Sequence, residues 1–257
     1  MTWLCHRTCP HCYEDRFRPY YGEELQRVVM QTVANVPRVI ANFPARLTYR
    51  EVDAVNGEQK VGTVILAGGE ILLEAVRESA LYPAIQQLKA KYSERGGVRI
   101  SVQTTGDLLT KKIVGELNDL GVDKISVSGI DGFHAGLESE SARQALKAKC
   151  VETFEAANFR NYEFFGATED MWIGKIWPRG RAMQNSLSRA TLRDNFCNQW
   201  SGGLNFLQYQ LAGSEVSVDP EGNVFPCCLK TKIPLGNLLE HLLEEILAAK
   251  IGIPMYE

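Results

Sequence analysis

Met1-Thr2-Trp3-Leu4-Cys5-His6-Arg7-Thr8-Cys9-Pro10-His11-Cys12, followed by Tyr13, carries three of the chain's seven cysteines in a C-x3-C-x2-C run. Three thiolates this close can share one face of an iron–sulfur cluster, because soft thiolate ligands suit iron–sulfur chemistry. Such clusters usually take four cysteines, and the loop offers three. One iron is then left open to a substrate or cofactor. The same three cysteines also suit zinc, with His6 or His11 as fourth ligand. Unrelated thiols are the third reading.

Outward from the loop, composition narrows the field. A chain of 257 residues, 45% hydrophobic, suits one large domain or a domain with an extension. The formal net charge of −3, with both signs interspersed, gives no footprint for nucleic acid or an anionic membrane. No apolar run approaches the ~18 residues of a membrane span, and the cysteine-rich start lacks a signal-peptide h-region. Seven cysteines without a secretory signal point to a reducing, cytoplasmic compartment and to metal or catalytic use rather than disulfides. There is no internal repeat and no low-complexity segment.

Residues 1–4 read as a minimal or trimmed first strand with the cysteine loop at its tip. From Glu23 the spacing of Leu25, Val28, Val29, Val33 and Val36 predicts a helix that Pro37 should end or kink. Segments 46–55 and 58–67 predict a hairpin around Asn56-Gly57, since both residues tolerate positive φ. The run Thr63-Val64-Ile65-Leu66-Ala67 shows no alternation and reads as a strand buried on both faces. It stops at Gly68-Gly69-Glu70. A helical pattern then extends to about Glu94, with Pro83 opening a second helix. Strands are predicted at 98–104, 124–128, 162–165 and 172–177, and helices at 110–120 and 139–157; no helix fits between the last two strands. Strands alternating with helices imply a parallel sheet with right-handed crossovers and a site at the strands' C-terminal ends. The cysteine loop, Gly68-Gly69-Glu70 and Ser128 would share that rim.

The cysteine run resembles the C-x3-C-x-φ-C signature of the radical S-adenosylmethionine (SAM) superfamily, with His11 at the φ position. That resemblance implies that Cys5, Cys9 and Cys12 hold a [4Fe–4S] cluster whose open iron chelates SAM. An electron then cleaves SAM to a 5′-deoxyadenosyl radical. Gly68-Gly69-Glu70 matches the family's GGE motif one βα unit later, with Ile71 where Pro is frequent. Two glycines let backbone approach a ligand closely. By resemblance, Gly68, Gly69 and Glu70 hold the methionine end of SAM, and Glu70 serves SAM binding rather than folding. Ser126 and Ser128 share one strand face; family members place polar groups there against SAM, while local backbone bonding is the plainer reading. Trp177-Pro178-Arg179-Gly180-Arg181-Ala182 resembles a P-x-G-R-A segment of SPASM-type members. There Arg181 either reaches a carboxylate or is structural.

Val216 to Cys227 reads as a hairpin around Asp219-Pro220-Glu221-Gly222. Its G-x4-C spacing, Gly222 to Cys227, resembles SPASM and twitch extensions, as does an amphipathic helix beginning at Leu235. Such extensions bind one or two auxiliary clusters, which nominates Cys197, Cys227 and Cys228. Buried structural cysteines are the competing reading, and adjacent Cys227 and Cys228 point to opposite faces of a strand unless the chain turns. A full SPASM module has further cysteines after the helix; this chain has none there. Cys150 falls on the apolar face of its helix and reads as core.

The expectation is therefore an α/β protein: a partial (β/α)6-type TIM barrel, short of a helix, over 1–182, with a small twitch-like extension over 183–257. The implied activity is radical SAM hydrogen abstraction, first in peptide or protein modification, then on a small molecule or in cofactor maturation. A non-enzymatic iron–sulfur or zinc protein is the remaining alternative. Flavodoxin or ferredoxin is the implied electron donor. No peptide-binding winged-helix domain precedes the barrel, which weighs against the peptide reading.

Overall fold

The computed structural model describes residues 1–52, 57, 59–166, 176, 179–187, 216–226 and 233–250. Its centre is a four-stranded parallel sheet in chain order, β3 (Thr63–Leu66), β4 (Arg99–Thr104), β5 (Lys124–Ser128) and β6 (Tyr162–Phe165). Helical crossovers join the strands: α2 (Glu74–Val76), a π-turn (Arg77–Leu81) and α3 (Tyr82–Tyr92) after β3, then α4 (Lys111–Asp119) after β4 and α5 (Glu140–Ala156) after β5. Thr110 and Ser139 cap α4 and α5 by accepting from the Ile113 and Ala142 amides. Such caps satisfy donors that the first helical turn leaves orphaned. Ahead of the sheet stand α1 (Gly22–Ala41) and a hairpin, β1 (Thr48–Val52) with β2 (Gln59–Val61).

The register places Leu66, Val102 and Ile125 in one row, and Thr104, Val127 and Phe164 in another. This face is closed by Ile85, Leu88, Ile113, Val114, Leu117, Cys150 and Phe154, all buried in one cluster. The opposite face carries Ile65, Ser101, Gln103, Ser126, Ser128 and Glu163, as strand alternation requires. Filled barrels pack bulky branched residues on that side. Here it is polar and leaves Ile65 57% exposed, so β3 is not buried on both faces; it is an edge strand of the sheet.

Other expectations are corrected too. Residues 1–4 form no regular strand: the segment bends at Trp3, pairs once with the chain at Leu4 and Arg18, and lies against the β3 tip. Helix α1 runs through Pro37 to Ala41. Pro37 has no N–H to give the Val33 carbonyl one turn back, and Val33 is on the exposed side of the helix, where the lost bond costs least. The second helix expected to open at Pro83 instead continues one helical run: a π-turn over Arg77–Leu81 precedes it, and Pro83, which has no N–H to give, follows just after that widened turn. Four parallel strands are described rather than six; the expected strand at 172–177 lies outside the described residues apart from Ile176.

The C-terminal region is a three-stranded antiparallel sheet, β7 (Ser217–Val218), β8 (Asn223–Phe225) and β9 (Gly236–Asn237). Between β7 and β8, Asp219 closes the turn by accepting from the Glu221 and Asn223 amides, and Gly222 takes a φ of 82°. The helix expected from Leu235 starts later, as α7 (Leu243–Ala248), because Gly236 and Asn237 pair with β8. Val224, Leu235, Leu238, Leu243 and Ile246 form a small core that packs on Val39 and Phe43 at the end of α1. Asn35 of α1 and Asn42, its C-cap, donate to the carbonyls of Pro220 and Leu238 at 3.0 and 2.7 Å. No helix among the described residues is long and apolar enough to cross a membrane.

Candidate active site

The Met1 ammonium donates to the Ala67 carbonyl, and the Gly69 and Glu70 amides donate to the carbonyls of Thr2 and Leu4 at 3.0 and 2.8 Å. The start of the chain therefore takes the place of a strand beside β3. Gly68 and Gly69 make this possible. A Cβ on Gly68 would press on Thr2 backbone, and one on Gly69 would collide with the Leu4 carbonyl and crowd Cys5. The close approach these glycines permit is thus to the cysteine-bearing segment itself.

Glu70 is fully buried, and its carboxylate is filled by the protein. The Leu72 amide and the Thr104 hydroxyl donate to Oε1 at 2.9 Å each, and the Thr105 amide donates to Oε2 at 2.7 Å. The Thr105 hydroxyl lies between Glu70 Oε2, at 2.7 Å, and Asp107 Oδ1, at 2.5 Å. Asp107 Oδ2 contacts His6 Nε2 at 2.7 Å and accepts from Arg7 Nη2 at 2.8 Å. Arg7 also donates to the Ala135 carbonyl at 3.0 Å. One polar network therefore links the tips of β3 and β4, the cysteine loop and the segment after β5. Burial pushes the Asp107 carboxyl up, but the bonds from His6, Thr105 and Arg7 outweigh it and hold it well below the usual carboxylate range. His6 is carried up to about 9, by Asp107 first and Cys5 second.

Cys5 and Cys9 are buried and Cys12 is partly so. Backbone amides point at two of the sulfurs: Arg7 N–H at Cys5 Sγ, 3.5 Å, and Ala135 N–H at Cys9 Sγ, 3.4 Å. Burial pushes the Cys9 thiol up and the Cys12 thiol up to about 11. Forming thiolates here needs a compensating cation, which bound iron supplies. Three soft donors, amides aimed at sulfur and the buried His6 Nδ1, which has no hydrogen-bond partner, fit a cluster on Cys5, Cys9 and Cys12. Cys150, the remaining described cysteine, is fully buried in the core against the Gly106 carbonyl.

Arg181 stands in α6 (Gly180–Gln184). Among the described residues its guanidinium reaches no carboxylate. It donates to the carbonyls of Cys9, Asp15 and Phe17 at 2.9, 2.9 and 2.8 Å. The Ala182 amide and Asn185 side chain add bonds to the Cys12 and Pro10 carbonyls. A helix 170 residues downstream thus clamps the loop.

The other expected residues divide. His11 donates from Nδ1 to the Phe133 carbonyl, 2.9 Å, and meets His134 edge-on, with ring centroids 4.4 Å apart. Burial, aided by His134, lowers it to about 4, so its ring is neutral. Ser126 donates to Glu163 at 2.7 Å, and Glu163 pairs with Lys124 at 2.5 Å. Ser128 makes a long bond to the Thr104 carbonyl, 3.4 Å. Cys197, Cys227 and Cys228 lie outside the described residues. Asp107, Asp131 and His134 escaped the sequence reading. The signal for two of them is the run Asp131-Gly132-Phe133-His134, an acid and an imidazole three apart in a loop at a strand's C-terminal end.

A family model described as the radical SAM superfamily matches residues 2–133. A second, for SPASM, an iron-sulfur cluster-binding domain, matches residues 211–251. No curated protein matches the chain in sequence. Among solved structures the chain is similar to BtrN in complex with AdoMet and 2-DOIA, at 18% identity and a TM-score of 0.51, over 96% of this chain and 78% of that one. It is also similar to native anSMEcpe with bound AdoMet, at 16% identity and a TM-score of 0.48, over 95% of this chain and 78% of that one. The first likeness supports the partial-barrel fold with its C-terminal extension.

Proposed function

This chain belongs to the radical SAM superfamily, and on that premise we propose that it abstracts a hydrogen atom from a peptide or protein substrate. It is an enzyme with a [4Fe–4S] cluster and S-adenosylmethionine as cofactors, and it carries an iron–sulfur SPASM region. When bound, these groups supply reductive cleavage of S-adenosylmethionine to the 5′-deoxyadenosyl radical. Cys5, Cys9 and Cys12 hold the cluster. The observation that carries the assignment is the seating of these three thiols on one rim, braced by Asp107 and Arg181, with amides aimed at sulfur.

We assign the core to 1–182 and the extension to 183–257, with Cys197, Cys227 and Cys228 as its cluster ligands. His11 and the backbone of Gly68, Gly69 and Glu70 border the cofactor site, whereas the Glu70 and Arg181 side chains brace it. The polar sheet face, with Gln103, Ser126, Ser128, Lys124 and Glu163, suits a substrate rich in amides, as a peptide is. A second reading, a small polar molecule, draws on the same face and on BtrN, whose structure holds 2-DOIA. Flavodoxin or ferredoxin supplies the electron, in the cytoplasm.

The test is anaerobic reconstitution, reduction with dithionite and incubation with S-adenosylmethionine. 5′-Deoxyadenosine is expected, and its rate should rise with a peptide pool more than with 2-DOIA. Loaded, reduced protein that forms no 5′-deoxyadenosine refutes the assignment.

A further inference from the structure

The segment after β5 is joined to the cysteine loop at three points, and what holds it in that shape is a buried carboxylate with no role yet assigned, Asp131. The Phe133 carbonyl accepts from His11, the Ala135 amide donates to Cys9 Sγ, and the Ala135 carbonyl accepts from Arg7. Asp131 gives the segment its shape. It is buried, and its Oδ1 accepts from the Phe133 amide at 2.9 Å, the His134 amide at 3.2 Å and His134 Nδ1 at 2.8 Å. Gly129, at φ 90°, leaves room for the His134 ring, which a Cβ there would strike.

His11, Asp131 and His134 bring ligand atoms within 4.8 Å of one another, the spacing of a metal site. Their bonds argue otherwise. Asp131 Oδ1 already meets three N–H groups, both Nδ1 atoms are engaged, and the Nε2 edge of His134 lies against Gly129. This is a hydrogen-bonded knot, and what it delivers is the Ala135 amide.

We propose that Asp131 is a positioning residue for the cluster: it folds residues 131–135 so that the Ala135 N–H points at the Cys9 sulfur, and so raises the cluster's reduction potential. The inference rests on the radical SAM reading and on Cys9 as a ligand. An N–H donated to a ligand sulfur stabilises the more negative, reduced cluster, so hydrogen bonds to sulfur raise the potential. Asp131 acts through the backbone and touches neither cofactor nor substrate.

The experiment is an anaerobic redox titration of reconstituted full-length protein followed by electron paramagnetic resonance, with iron counted in each sample. The variant with Cys5, Cys9 and Cys12 all changed to Ala gives the background of any second cluster. Asp131→Ala is expected to lower the midpoint by about tenfold in the reduction equilibrium, the weight of one hydrogen bond to a charged acceptor, or 59 mV for one electron. Asp131→Asn keeps an acceptor oxygen for the two amides and is expected to stay near wild type. Ala135→Pro removes the donor itself, at the cost of a fixed φ and a ring carbon facing Cys9, and is expected to shift the midpoint the same way as Asp131→Ala; with its iron content matched to wild type it decides the matter if Asp131→Ala fails to fold. Loaded Asp131→Ala or Ala135→Pro protein with a wild-type midpoint overturns the proposal. Wild-type protein that takes up no cluster overturns the family reading instead.

Discussion

Replacing Glu70 by Ala tests whether this carboxylate belongs to the fold or to the ligand. In the folded protein it accepts from the Leu72 amide, the Thr104 hydroxyl and the Thr105 amide. Leu72 and Thr104 are 1% and 2% exposed, so water cannot replace the lost acceptor. A buried donor left unsatisfied costs about 1–3 kcal/mol. Two such donors and the half-buried Thr105 amide sum to about 5 kcal/mol on that scale. Relief from burying a charge offsets part of this, leaving about 3 kcal/mol. For a chain of this size, each kcal/mol moves Tm by about 2–4 °C, so Glu70→Ala should melt about 6–12 °C below wild type. Glu70→Gln keeps one oxygen and turns its amide toward a donor, which should cost about half as much. Circular dichroism melts of the metal-free protein, read beside calorimetric titration with S-adenosylmethionine, separate the two roles. A Glu70→Ala variant that melts within about 1 °C of wild type yet loses the cofactor would show that the carboxylate is a ligand and that the bonding argument is wrong.

Changing Cys5, Cys9 and Cys12 together to Ala should abolish 5′-deoxyadenosine formation and remove the oxygen-sensitive cluster; retained iron with continued cleavage would refute the ligand set. Iron counting in that variant addresses the extension. About four irons surviving out of about eight would support an auxiliary cluster on Cys197, Cys227 and Cys228, and none surviving out of about four would exclude it. Gly69→Ala should drive the Leu4 carbonyl away from β3, costing about 1–3 kcal/mol and lowering iron uptake; normal uptake at normal stability would show that the two segments are not held this closely. Arg181→Lys gives up the fork that spans three carbonyls. Its cluster should be lost to a chelator several-fold faster, measured as decay of visible absorbance, and an unchanged rate would remove Arg181 from the clamp.

Much of the framework was legible beforehand. The apolar runs at 98–104 and 124–128, the capped helices after them and the Asp219-Pro220-Glu221-Gly222 turn all stand close to where the pattern puts them. Each is set by forces acting within a few residues: alternation, capping and turn chemistry. The C-x3-C-x2-C run was legible for the same reason, since cysteines this close in sequence lie close in space whatever the rest of the chain does. Pattern failed where neighbours in space override it. Ile65 is apolar yet exposed because it falls on the polar face of the sheet, and Gly236 and Asn237 pair with β8 instead of starting a helix.

The roles of single side chains were decided by tertiary structure alone. Glu70 finds its donors 34 and 35 residues away, Asp107 meets His6 and Arg7 about a hundred residues away, and Arg181 closes on the loop 172 residues upstream. A motif names the chemistry a residue type can perform, and local order puts it at the right strand end. Whether a carboxylate or guanidinium there is still available to a ligand depends on the donors and acceptors that the rest of the chain brings to it. That accounting exists only in the folded state, where most buried polar groups are held by a partner. Residue types and their spacing nominate the atoms that would hold iron and place them at one end of the strands; the fold settles which of the surrounding polar groups bond to one another there.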